Sequence, residues 1–162
     1  MASAQSDQPG YVDFGDLTGT VGVEPAVEVS LGPALLRFLT ETVRQEEPEL
    51  AQALGGLRGI RLNVFQLDES GVANAQKRTR NIVERLEADA WEPAVSVRSE
   101  DTMVHMYMKM VDDRVAGMTV LTIDEGGEAL FMNIVGEIDP AQLGRVASRF
   151  GVDLDDIATG DF

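Results

Sequence analysis

Hydrophobic and polar residues alternate most clearly from Thr102 to Ile138, a stretch that reads as three β-strands joined by two tight turns. In its first strand Val104, Met106, Met108 and Met110 share one face, while His105, Tyr107 and Lys109 share the other. A period of two belongs to a strand, because successive side chains leave opposite sides of the pleat. Asp112-Asp113 supplies one turn and Asp124-Glu125-Gly126-Gly127 the next, since tight hairpins need residues that tolerate positive φ. Earlier in the chain the same alternation marks strands at Val27–Leu31, Ile60–Phe65 and Val95–Val97.

Between the strands the period changes to that of a helix. Leu35, Leu36, Leu39 and Val43 follow Gly32-Pro33, and a second short turn packs through Leu50 and Leu54 before Gly55-Gly56 ends it. Val72, Ala75, Thr79, Ile82, Val83, Leu86 and Ala90 then form one stripe, with Asp68 or Ser70 placed to cap its start. Asp139-Pro140-Ala141-Gln142 resembles a capping box, opening a last helix with Leu143, Val146, Ala147 and Phe150 on its apolar face. The order β-α-β-α-β-β-β-β-α predicts an α+β fold. It has one mixed, mostly antiparallel sheet and helices packed mainly on one face. Residues 1–25 lack a sustained period and read as a flexible, dispensable leader with Tyr11, Val12, Phe14 and Leu17 as anchors. Residues 26–158 read as a single domain and 159–162 as a tail.

Composition narrows the function classes. The net charge of −15 repels phosphate backbones, so no nucleic-acid partner is expected. There is no cysteine, which excludes disulfides and thiolate chemistry. No apolar run approaches the roughly 20 residues of a membrane-spanning helix. The first ten residues do not read as a signal peptide, which suits either a processed mature chain or a plain cytoplasmic start.

The segments LGGLRGIRLNVFQLDES (Leu54 to Ser70) and VGEIDPAQLGRV (Val135 to Val146), with Trp91 after the long helix, resemble a bacterial envelope lipoprotein family. That family is catalogued only as domain of unknown function 4252. The resemblance implies a small α+β domain, often exported to the periplasm or outer envelope and tethered through a lipidated cysteine. This chain lacks that cysteine, so membrane attachment is expected only through an anchor absent from it. The family carries no established activity and therefore no catalytic residue to transfer.

Candidate chemistry is sparse. The only histidine, His105, has no Gly-x-Ser-x-Gly elbow to serve, and no enzyme activity or cofactor is expected. Met103, Met106, Met108, Met110, Met118 and Met132 allow a copper(I) thioether site, but neighbours on one strand face stand about 6.6 Å apart, and core filling is preferred. Two acidic clusters, 124–128 and 153–156, lack the ligand spacing of an EF-hand calcium loop. Lys77, Arg78, Arg80 and Arg85 give the long helix a basic face suited to anionic headgroups, an acidic partner or plain solubility. The sheet face carrying Phe65, Tyr107 and Phe131 mixes aromatics with polar groups. It is read as a surface for a protein partner or a homodimer, with the leader folding over it as the alternative. The functional expectation is a non-enzymatic envelope module acting through a sheet face. A small-molecule or metal-binding module is the rival.

Overall fold

The computed structural model describes residues 8–99, 102–139, 141, 142 and 145. It contains α1 (Leu17–Val21), β1 (Val27–Leu31), α2 (Pro33–Val43), α3 (Pro48–Gly55), β2 (Leu57–Gln66) and α4 (Glu69–Ala88). These are followed by β3 (Glu92–Arg98), β4 (Met103–Val111), β5 (Arg114–Ile123) and β6 (Glu128–Ile138). The six strands form one sheet in the order β1-β2-β6-β5-β4-β3, antiparallel at every pairing. The α+β class is the one the residue pattern predicts. The beginning of a last helix is present, with Asp139 Oδ1 accepting from the backbone N–H of Ala141 at 3.0 Å. Its apolar positions Leu143, Val146 and Phe150, and the tail, lie outside the described residues.

Local chemistry explains the elements. Asp68 caps α4 by accepting from Gly71 N at 2.8 Å. Asp112 and Asp113 adopt φ of 51° and 65°, as the two central residues of a left-handed hairpin turn between β4 and β5 must. In the next turn the Asp124 carboxylate accepts from Glu128 N at 2.9 Å, so that carboxylate serves the turn itself. Among the described residues no helix is long and apolar enough to cross a membrane.

Helices pack on both sheet faces, which differs from the expectation of one covered face. α2 and α3 lie on the face of Met106, Met118, Val120 and Ile134, through Leu36 and Leu54. The longer α4 lies on the opposite face, where Ala75, Ile82, Val83 and Leu86 meet Phe65, Tyr107, Leu121 and Phe131. Both faces of β6 are apolar, so alternation alone marks neither as the covered one. Met106 and Met118 are buried among aliphatic side chains, whereas Met110 is exposed beyond a bulge. Met106 and Met118 thus fill space in the core as the aliphatic side chains around them do.

The second difference is the leader. Val12, Phe14, Leu17 and Val21 are buried in the main core, so the described part of the expected flexible leader, residues 8–25, is built into the fold. Asp16 caps α1 and Gly22 ends it in a left-handed conformation. The chain reaches the sheet by close approach. A Cβ on Gly10 would sit 2.2 Å from the Ala116 carbonyl oxygen, and one on Gly117 would sit 2.4 Å from Gly10 Cα. Only glycine permits that backbone contact.

One buried polar atom stands out on α4. Thr79 is almost completely buried and its Oγ1 has no hydrogen-bond partner. Replacing Thr79 with valine removes an unsatisfied hydroxyl while keeping the shape. Thr79→Val is expected to raise stability by about 1 kcal/mol. Chemical denaturation checks this, and a lower midpoint would show that the hydroxyl is satisfied in solution.

Candidate functional site

The three aromatics expected at a partner surface are core residues. Phe65 and Phe131 have no exposed surface and Tyr107 retains 2% of its own. Phe131 sits at the junction, edge-on to Phe14 of the leader at 5.9 Å and to Phe65 at 6.2 Å. The partner-surface reading of Phe65, Tyr107 and Phe131 is therefore corrected. α4 and the leader occupy that face, because aromatic side chains on a sheet bury as readily against the chain's own segments as against another protein.

The polar residues on that face hold the leader. Asn133, fully buried on β6, accepts from Val12 N at 3.0 Å and donates to Gly10 O at 2.9 Å. Its amide also donates to Met118 O at 3.2 Å, tying the leader to β5. Arg61 donates to Val12 O and to Asn133 Oδ1, with its guanidinium 4.5 Å from the Tyr11 ring centre and 5.3 Å from that of Phe14. Stacking on aromatic faces suits a guanidinium, which is weakly hydrated and planar. The basic face of α4 is partly used in the same way. Arg78 donates to Thr20 Oγ1 and Arg85 to Asp13 O.

At the other end of the same face, Tyr107 donates to the Glu87 carboxylate at 2.8 Å. Burial and this hydrogen bond to a carboxylate push the phenol up to about 12. His105 lies beside Tyr107 with ring centres 6.4 Å apart, and its Nδ1 is 3.4 Å from Ser96 Oγ, a long contact. Burial lowers the His105 pKa from 6.5, the Arg98 charge lowers it further, and Glu87 opposes both. Between the native pKa and 6.5 the unfolded chain binds a proton that the native state refuses, so stability falls as pH drops below about 6.5. His105→Gln should flatten that part of the profile. Denaturation midpoints at pH 7.5 and 5 for both proteins test this, and equal slopes would show that His105 protonates without cost.

What the fold does expose is apolar surface on α2. Leu36 and Thr40 face the sheet and are buried, while Leu35 and Phe38 turn outward, 52% and 66% exposed. Leu35, Phe38 and Thr42 recur at i, i+3 and i+7 and so share one stripe. Thr42 hydrogen-bonds back to Phe38 O at 2.8 Å, leaving that stripe without a polar side chain to hydrate it. Val27 on the edge strand β1 is also 46% exposed, on the same side of the sheet as α2. The helical spacing of the sequence groups Leu35 with Leu36, Leu39 and Val43 and does not separate outward from inward positions. The signal that separates them is Thr40, which shares the turn with Leu36 and bonds to its carbonyl at 2.7 Å. Along α2, α3 and the turn between them acidic residues outnumber basic ones, with Glu41, Glu46, Glu47 and Glu49 against Arg37 and Arg44. The Arg44 guanidinium is already held by Glu41 at 2.9 Å.

Residues 23–146 match the family described as a domain of unknown function (DUF4252). No curated protein matches the chain, and no solved structure does.

Proposed function

The chain belongs to this DUF4252 family, and from that premise we propose that it is a non-enzymatic module of the cell envelope that docks a short segment of another protein on α2. The observation that carries the reading is the outward Leu35–Phe38 stripe. Leu35 and Phe38 stand one turn apart on a regular helix, so they join into a contiguous apolar surface, the kind of feature that marks docking sites. The eleven residues of α2 span about 16 Å, a length that suits a short linear segment better than a standard dimer interface of about 800 Å² per partner. Charge selects the occupant. The acidic rim and the net charge of −15 disfavour a second copy and favour an apolar segment flanked by lysine or arginine. The envelope placement rests on the lipoprotein-like resemblance of Leu54–Ser70 and Val135–Val146. The non-enzymatic reading is supported by the site chemistry: the one hydrogen-bond contact of the His105 ring among the described residues is the long one to Ser96 Oγ, and burial and Glu87 hold Tyr107 as a neutral phenol.

The test uses the full chain and a synthetic amphipathic helix with leucine and phenylalanine anchors and lysine flanks, followed by isothermal titration and sedimentation velocity. The expected result is a monomer that binds this peptide, more weakly in high salt, and loses binding in the Leu35→Glu, Phe38→Glu double variant with its melting temperature unchanged. Equal binding of a glutamate-flanked peptide would overturn the choice of partner, as would no binding at all. A dimer dispersed by the double variant would replace the partner with a second copy. Fractionation of cells expressing the native gene tests the envelope placement separately.

A further inference from the structure

The sheet is wider than the helix that covers it. α4 packs on residues of β2, β6, β5 and β4, and leaves the same face of the edge strand β3 in solvent, where Ser96 and Arg98 are exposed. The step between helix and edge strand forms a cleft of about 470 Å³, within the range of small-ligand sites. Gln76, Arg80, Glu84 and Glu87 line one wall, spaced four, four and three apart so that they fall on one stripe of α4. Met103 and His105 line its base, and Arg98 stands on the β3 side.

Three of the charges in this cleft are unpaired. Arg80, Arg98 and Glu84 form no hydrogen bond or ion pair with any described residue, although Arg80 and Glu84 are one helical turn apart. Glu87 is different, because its carboxylate is engaged by Tyr107. Two arginines on different walls of one cleft suit the oxygens of one carboxylate or phosphate. Glu84 supplies the opposite charge one turn further on, about 5–6 Å from Arg80 between Cβ atoms. The buried His105 sets an uncharged base between them at neutral pH, so the anion is held by the arginines and not by the imidazole.

We propose that this cleft binds a small zwitterion, its carboxylate or phosphate between Arg80 and Arg98 and its ammonium toward Glu84. A dianion without a cationic end would meet Glu84 and Glu87 as like charges, and a simple cation would meet the two guanidiniums. A ligand with both charges joined by a short carbon chain satisfies both walls. The site is separate from the α2 stripe and stands or falls without it.

The experiment follows the His105 ring resonances by NMR at pH 7.5 in the full chain. O-Phosphoethanolamine and β-alanine are the zwitterionic probes, inorganic phosphate and acetate the anion alone, and ethanolamine the cation alone. At least one zwitterion should shift His105 saturably and bind about tenfold more tightly than its anion alone, a difference of about 1.4 kcal/mol. Arg98→Gln should weaken that binding at least tenfold, and Glu84→Gln should erase the preference for the zwitterion while leaving the anion's affinity unchanged. All of these side chains are exposed, so thermal midpoints should stay within a degree or two of the parent. No saturable shift with any probe would overturn the site. Saturable shifts that ignore both substitutions would overturn it too. Equal affinity for zwitterion and anion would overturn the assigned ligand class.

Discussion

A chain beginning at Ala26 is expected to lose cooperative folding, or at the least about 4 kcal/mol of stability. The leader lends Val12, Phe14, Leu17 and Val21 to the main core. Each buried apolar side chain contributes about 1.5–3 kcal/mol before the entropy of ordering its segment is set against it. Truncation also bares Phe131, whose ring rests on Phe14, and strips the carbonyl and rings from around the Arg61 guanidinium. A typical domain has only about 5–15 kcal/mol in hand, so the remainder would melt about 10 °C lower or not fold at all. Thermal unfolding followed by circular dichroism, on the full chain and on residues 26–162, measures it. An unchanged midpoint would mean that the leader detaches in solution and that the apolar contacts it makes are worth no more than its ordering costs.

The second large effect is expected at one residue. Asn133→Leu keeps the volume but removes the partner of Val12 N, of Gly10 O and of Met118 O, all within a buried site. Leaving a buried backbone group without a partner costs about 1–3 kcal/mol, so a loss of about 3–5 kcal/mol is expected. The leader makes the cost conditional. In a chain starting at Ala26 that still folds, two of the three partners are gone, and the same substitution should cost far less. Such coupling is what a double-mutant cycle detects. A full-length loss below 1 kcal/mol, or an equal loss in both backgrounds, would show that Asn133 does not hold the leader.

What could be read along the chain was whatever repeats over short distances. The α4 stripe of Ala75, Thr79, Ile82, Val83 and Leu86 has the helical period, and all five are buried. The hairpin at Asp112-Asp113 and the caps at Asp68 and Asp139 were equally legible, because their chemistry is complete within about four residues. Together these determine six strands, the long helix, the α+β class and the acidic surface.

Which segment covers which sheet face was decided only by the tertiary structure. β6 offers Leu130, Met132 and Ile134 on one side and Phe131, Asn133 and Val135 on the other, so both faces are able to bury. The leader resolves the choice without any period of its own. It docks through backbone groups to Asn133 and Arg61, more than a hundred and about fifty residues away in sequence. The same long-range pairing turns Phe65, Tyr107 and Phe131 from a surface into a core, and leaves Leu35 and Phe38 outside. The cleft beside β3 arises likewise, from a six-stranded sheet whose edge strand lies beyond the reach of α4. Local periodicity reports which residues can be buried. Only the assembled chain, by matching the widths and contents of its layers, determines which of them are.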